Sequence, residues 1–162
     1  MKKSLNILII FVALWCAGIV LTPVIISFYP IGTSLSKILY RFYGVVCHQF
    51  DSRSFHIHDH PFTVCIRCTA IYFGFFIILI GIRFSSTIQN KKFNPIIVLI
   101  FSSAPMLLDV LLSFTSFYEI SMLSRLITGA IFGIGMALLL HRSLTETISS
   151  LLPSQRYELK TR

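Results

Sequence analysis

The chain has 162 residues, of which 55% are hydrophobic and only 12% charged, and its mean hydropathy is +0.81. An ordinary soluble domain has roughly 25% charged residues, so the composition excludes that class and indicates an integral membrane protein. Cytoplasmic ends and loops, which collect Lys and Arg, explain the net charge of +8, and without a basic stripe interleaved with aromatic residues no nucleic-acid partner is expected.

The first predicted element is a membrane-spanning helix over residues 5–28. A span needs about 20 apolar residues, whereas the apolar core of a signal peptide has roughly 7–15, so we expect an anchor that is retained. Cys16 follows the bulky Trp15 rather than a small residue, which favours a packing role over lipidation. Pro23 and Pro30 suit a kink and a helix stop near the far end.

Residues 33–47 predict an amphipathic helix that lies in the membrane interface. Its apolar and basic residues follow separate lines at helical spacing: Leu35, Ile38, Leu39, Phe42, Val45 and Val46 against Lys37, Arg41, Gly44 and His48. Charges in the middle of the segment argue against a span and suit cations placed among lipid phosphates. The helix end would bring Cys47 and His48 to headgroup depth; alternatively, the basic face is solvated and holds no ligand.

A segment rich in metal-ligating side chains runs from Cys47 to Cys68. In its loop, residues 50–61, three alternating imidazoles share one side if the chain is extended: His56, His58 and His60. Such a tract can hold a metal or be polar filler. Cys65 and Cys68 open the second predicted span, residues 64–84, where free backbone N–H groups and the nearby cation of Arg67 favour thiolates.

The third and fourth predicted spans, residues 95–114 and 121–140, each carry a charge. Asp109 and Arg125 fall at similar depth below the same membrane face, so we expect them to pair, either for function or to fix helix register. Gly129-x-x-x-Gly133, with Gly135 beyond, would let a helix approach closely. That helix belongs either to this chain or to a second copy in a homodimer.

Four spans place both ends of the chain on one side of the membrane. A basic set marks one face, Lys2, Lys3, Arg83, Arg142 and the linker's Lys91 and Lys92, whereas Glu119 marks the other. The termini are therefore expected in the cytoplasm and the cysteine segment on the opposite side of the membrane. Four basic residues of that segment oppose this orientation unless they serve a site: Lys37, Arg41, Arg53 and Arg67.

Several of these motifs together resemble a known family over about residues 40–140. They are Cys47-His48-Gln49, Arg53-Ser54-Phe55, Val64-Cys65-x-Arg67-Cys68-Thr69-x-Ile71-Tyr72-x-Gly74, Pro105-x-x-x-Asp109 and Arg125-x-x-Thr128-Gly129-x-x-x-Gly133. The chain is similar to small polytopic prokaryotic membrane proteins grouped as domain of unknown function 2085. It departs from them at Ala70, where a glycine is usual, and in the histidine loop, which usually contains a glycine.

The resemblance implies a location in the inner membrane of a prokaryotic cell. It implies no particular activity, but it does imply that the charged and sulfur-bearing residues form one pattern. Its members are Cys47, His48, Arg53, Cys65, Arg67, Cys68, Asp109 and Arg125.

Three functions from different classes fit these residues. In the first, Cys47, His48, Cys65 and Cys68 bind zinc or another divalent transition metal, structurally or for catalysis, and only one of the adjacent pair Cys47 and His48 need be a ligand. In the second, Cys65 and Cys68 cycle as a disulfide linked to membrane quinone. In the third, Arg53 and Arg125, with Asp109 as base, bind or act on an anionic lipid headgroup.

The sequence thus predicts an all-α protein with four transmembrane helices and one interfacial helix between the first two. Residues 1–143 form a single integral-membrane domain and residues 144–162 a basic cytoplasmic tail. Membrane lipids are the expected partners.

Overall fold

The computed structural model describes residues 2–28, 33–85, 88, 93–113 and 121–151. Its elements are α1 (Lys2–Phe28), α2 (Thr33–Gly44), a 3₁₀ turn (Asp51–Arg53), β1 (His56–Ile57), β2 (His60–Pro61), α3 (Ile66–Phe84), α4 (Pro95–Ser113) and α5 (Met122–Leu151). Within these residues, α1, α3, α4 and α5 are each long and apolar enough to cross a membrane. The predicted all-α fold with four spans is confirmed.

Two helix ends and one loop differ from what the sequence predicts. Helix α2 ends at Gly44 rather than 47, because the chain tightens into a turn in which the Cys47 N–H donates to the Tyr43 carbonyl at 3.1 Å. Residues 56–61 form a two-stranded antiparallel hairpin within the predicted loop. Helix α5 continues to Leu151 and so takes in the start of the predicted tail.

Some predictions fall on parts of the chain outside the described residues. These concern Pro30, Lys91, Lys92, Glu119 and the tail from residue 152 onward.

Helix α3 lies at the centre of the bundle, between α1 and α5, and α4 packs against α5. A Cβ atom added at Gly129 would lie 2.6 Å from the Arg67 carbonyl oxygen, and one at Gly133 would lie 2.1 Å from that of Ile71. The second contact lies four residues after the first in both helices. Helices α3 and α5 therefore run parallel and begin on the same side of the bundle. The predicted glycine motif therefore serves close packing within the chain.

The face of helix α4 that packs against α5 is polar, and its other faces are apolar, as suits a helix at the edge of a membrane bundle. Its buried residues are Ser102, which fits against Gly135 of α5, and Asp109, one heptad further along. Large apolar side chains on its other faces are exposed, including Ile96, Ile100, Phe101, Leu107, Leu108 and Leu111. Water would make this exposure costly, whereas hydrocarbon does not.

Helix α2 packs against α1 and leaves its own apolar face uncovered. Tyr43 is buried where Gly18 leaves room on α1, and its hydroxyl donates to the Trp15 carbonyl at 2.8 Å. Leu35, Ile38 and Phe42 remain more than half exposed. This arrangement suits an interfacial helix with its apolar side in lipid.

Candidate metal centre and the arginines around it

Three cysteine sulfurs, those of Cys47, Cys65 and Cys68, all lie within 4.8 Å of one another. We call these three residues the thiol cluster. Cys65 is the residue before the first turn of α3, Cys68 lies in that turn, and Cys47 reaches them from the turn after α2. The structure thus brings together three of the four predicted metal ligands.

Hydrogen bonds around Cys47 favour its thiolate form. The Cys65 backbone N–H donates to the Cys47 sulfur at 3.2 Å. Hydrogen bonds from the Cys65 and Cys68 side chains lower the pKa of Cys47 below its ordinary value, and together with the backbone donors they outweigh the opposing effect of burial. The positive end of the α3 dipole lies at the same place and also favours negative charge.

An apolar layer borders the thiol cluster. Cys47 packs with buried Ile19, Tyr43 and Val64, and further aromatic side chains lie against this group, namely Trp15, Phe62 and Tyr72. Cys47 is buried, whereas Cys65 and Cys68 are partly exposed. The sulfurs are therefore shielded on one side and accessible on another.

Gln49 holds the two sequence segments of the cluster together, a role that the sequence did not reveal. Its side-chain amide donates to the carbonyls of Tyr40, in α2, and Thr63, just before Cys65, each at 2.7 Å. Its backbone has a φ of 50°, which turns the chain sharply two residues after Cys47. The only sequence signal was the presence of Gln49 in the Cys-His-Gln motif.

His48 lies outside the thiol cluster. Its side chain is exposed and its ring stacks on Phe50, with centroids 6.0 Å apart and planes within 4°. The sequence predicted that the helix continues to residue 47 and ends with Cys47 and His48 side by side at the membrane surface. Instead, the chain turns after Gly44, so Cys47 is buried and His48 is exposed. Of the adjacent pair, Cys47 is the one positioned as a ligand.

The three loop histidines are dispersed along the hairpin rather than gathered. His56 contacts Asp51 at 3.1 Å and His58 packs edge-on against Phe28, with ring centroids 5.8 Å apart. His60 is half-buried in β2. Among the described residues, the thiol cluster is the one group of three or more ligating side chains close enough to hold a metal.

Asp109 pairs with Arg67, which corrects the predicted pair of Asp109 and Arg125. One carboxylate oxygen accepts from the Arg67 guanidinium, and the other accepts from the Ser124 hydroxyl at 2.7 Å. The Asp109 side chain is 4% exposed and the Arg67 side chain 20%, so this is a largely buried ion pair. With both oxygens engaged, Asp109 is poorly suited to act as a free general base.

Arg125 nevertheless lies near the ion pair of Arg67 and Asp109. It is one helical turn before Gly129, which contacts Arg67, and it is close enough to interact electrostatically with Arg53, Arg67, Asp109 and Cys65. Arg53 itself lies over the Phe50 ring at 5.2 Å. We call Arg53, Arg67 and Arg125 the arginine cluster.

The thiol and arginine clusters both fall within a region matched by a known family. A family model described as "predicted membrane protein", for domain of unknown function 2085, matches residues 47–139. No solved structure matches the chain significantly.

Two archaeal relatives share part of the chain. An uncharacterized protein of Methanocaldococcus jannaschii is 34% identical over 99 residues, which are 61% of this chain and 64% of that protein. An uncharacterized protein of Methanothermobacter thermautotrophicus is 28% identical over 99 residues, 58% of this chain and 83% of that protein. The match thus spans less than two thirds of the M. jannaschii protein. The family model, in contrast, matches more than half of the present chain. The chain therefore belongs to the domain of unknown function 2085 family of predicted membrane proteins.

Proposed function

We propose that Cys47, Cys65 and Cys68 bind one divalent transition metal ion, with zinc preferred, at the membrane surface. The observation that carries this proposal is that three sulfurs from two separate segments lie within 4.8 Å of one another. Tetrahedral zinc with Zn–S bonds of about 2.3 Å places its sulfurs about 3.8 Å apart. A small inward movement of the thiol cluster is enough to reach that geometry.

Three thiolates leave the fourth position of a tetrahedral ion open. His48, the predicted fourth ligand, lies outside the cluster, and its exposed ring stacks on Phe50. Catalytic zinc sites characteristically keep such a position for water or substrate, whereas structural sites close it with a fourth protein ligand. This difference favours a reactive role over a purely structural one.

Elemental analysis of the purified protein tests the metal site. The protein is purified in detergent without chelator or nickel affinity, alongside variants Cys47→Ser, Cys65→Ser, Cys68→Ser and Cys16→Ser. We expect about one metal ion per wild-type chain and a large loss in the first three variants. Cys16 is the matched control, because it is buried in the other part of the core, among Leu5, Val12 and Leu79. Metal-free wild-type protein, or equal losses in all four variants, would refute the site.

Oxidation of two thiols by a membrane quinone is the second candidate, and the same proximity of the sulfurs favours it. In this reaction, Cys65 and Cys68 form an S–S bond while two electrons and two protons pass to a quinone, which becomes quinol. Counting free thiols after rapid alkylation separates the two candidates. A metal protein keeps its four cysteines reduced in oxidising conditions, whereas the redox protein changes between four and two free thiols and binds no metal.

The proposed orientation puts the termini in the cytoplasm and the thiol cluster outside. Arg83, near the end of α3, donates to the Asn6 side chain of α1 at 2.9 Å. These basic ends therefore lie together, opposite the start of α3, and the parallel course of α5 carries Arg142 to the same side. We expect a fluorescent reporter fused to the C-terminus to be active and an alkaline phosphatase fusion there to be inactive. The opposite pattern would reverse the orientation.

A further inference from the structure

We propose that the open metal position of the thiol cluster receives a phosphate group, which the guanidiniums of Arg53, Arg67 and Arg125 hold in place. This inference rests on the proposed metal site and names the ligand class that the site takes. The phosphate belongs either to a lipid headgroup or to a soluble phosphate compound, since the recognising chemistry is the same.

The first support is the convergence of cations on the start of α3. Arg67 lies between Cys65 and Cys68 in sequence, within the first turn of that helix. Because α5 runs parallel to α3 with Gly129 against Arg67, Arg125 lies one turn earlier, level with the residues just before α3. Arg53 approaches from the 3₁₀ turn and lies within electrostatic range of Arg125.

The second support is the balance of charge. Among the described residues, Asp109 is the carboxylate that pairs with the arginine cluster, and it pairs with Arg67. The other described ion pairs of carboxylates are Asp51 with His56 and Glu146 with Arg142. Arg53 and Arg125 thus have no carboxylate ion pair among the described residues. An anion in the open position would supply a negative partner for these two guanidiniums.

The third support is an unsatisfied donor. The Arg67 Nε is buried and has no hydrogen-bond partner among the described residues. Buried polar groups are almost always hydrogen-bonded, so this N–H is open to an acceptor from outside the described residues. An oxygen of a bound anion would be such an acceptor.

The number of donors favours phosphate over carboxylate. Arg53 and Arg125 each offer a planar fork, and Arg67 offers its Nε. The backbone N–H groups of the first turn of α3 have no intrahelical acceptors and point toward the same end. A carboxylate has two oxygens, whereas a phosphate group has three or four, one of which can reach the metal while the others accept from the guanidiniums.

The test uses cobalt-substituted protein in dodecyl maltoside and a phosphate-free buffer, so that neither the detergent nor the buffer supplies phosphate. The visible absorption of cobalt reports a change at its open position, and calorimetry reports binding. Inorganic phosphate and a short-chain phosphatidic acid are titrated separately into wild type, Arg125→Gln and Arg142→Gln. The last variant is a matched control, since Arg142 pairs with Glu146 on the helix surface, far along α5 from Arg125.

We expect the wild-type spectrum to change on addition of at least one phosphate compound, with binding about tenfold or more weaker in Arg125→Gln. Arg142→Gln should bind as wild type does, and all three proteins should hold the same amount of cobalt. A preference for phosphatidic acid would identify a lipid source, and a preference for inorganic phosphate a soluble one; both support the inference.

Two results would overturn it, and they are distinguishable. In the first, cobalt binds stoichiometrically, but neither phosphate compound changes its spectrum, or both bind Arg125→Gln as tightly as wild type. The phosphate inference is then wrong and the metal site stands. If no cobalt binds to the thiol cluster, the proposed metal site fails and the phosphate inference fails with it.

Discussion

Arg67 joins the candidate site to the membrane-buried part of the bundle. It lies between Cys65 and Cys68 in sequence, and its guanidinium donates to the carboxylate of Asp109 on α4. An intramembrane carboxylate is costly unless paired, so this contact both satisfies Asp109 and fixes where Arg67 can point. The residue thus has a structural role independent of any ligand.

Removing Arg67 alone should destabilise the protein more than removing the whole ion pair. Arg67→Gln leaves the Asp109 charge buried with Ser124 as its remaining partner, and breaking a buried pair in this way costs roughly 3–5 kcal/mol. The double variant Arg67→Gln with Asp109→Asn leaves no unpaired charge and should unfold closer to wild type. Thermal unfolding in detergent measures both.

The exposed pair of Arg142 and Glu146 provides the control for this prediction. Arg142→Gln should cost less than about 1 kcal/mol, because an exposed pair four residues apart on a helix contributes little. A double variant that is less stable than Arg67→Gln alone would contradict the buried-pair account.

Gln49 should affect metal affinity without contributing a ligand. Gln49→Asn keeps an amide and a residue that tolerates positive φ, but it is one methylene too short to bridge Tyr40 and Thr63. Loss of such a supporting contact typically weakens metal binding by about 10- to 100-fold. Competition with a chromophoric chelator measures the affinity. His48→Asn, next to it in sequence, should bind normally; a large loss there instead would make His48 the fourth ligand.

At the scale of elements, the contact of α3 with α5 sets the geometry of the site. Gly129 and Gly133 let the α3 backbone come close, and this places Arg125 beside the start of α3. The predicted glycine motif was correct as a close-approach surface. Sequence reasoning left its partner undecided between a second chain and this one, and the structure shows α3 of the same chain.

Gly133→Ala should destabilise the bundle. The added methyl would lie 2.1 Å from the Ile71 carbonyl oxygen, so the helices must separate. Overpacking of this kind costs roughly 1–3 kcal/mol. Gly81→Ala is the matched control within α3, because its methyl would meet only side-chain atoms, the nearest at 3.6 Å. Thermal unfolding should show a loss for the first variant and none for the second; equal effects would refute the close contact.

At the scale of the whole molecule, hydrophobic runs were enough to predict the four spans, and polar spacing was enough to predict the interfacial helix. Asp109 and its depth in the membrane were also recognisable, because each residue advances a helix by a fixed rise. The choice of Arg67 over Arg125 as its partner was not. That choice depends on how α3, α4 and α5 are rotated and ordered, and depth along a helix carries no such information.

Convergence of the cysteines was predictable from the sequence, whereas the separation of His48 from them was not. Cys47, Cys65 and Cys68 flank a loop that returns to the same membrane face, so their proximity followed from topology. Separating adjacent Cys47 and His48 required the turn after Gly44 and the positive φ of Gln49. Such local backbone geometry has no clear signal in a Cys-His-Gln sequence.

X-ray absorption at the edge of the bound metal tests the central claim most directly. For zinc-loaded protein we predict three sulfur ligands at about 2.3 Å and one oxygen or nitrogen ligand at about 2.0–2.2 Å. The fourth ligand should lack the outer-shell scattering of an imidazole ring, because His48 stacks on Phe50. Two or fewer sulfur ligands, or a clear imidazole signal, would contradict a three-thiolate site with an open position.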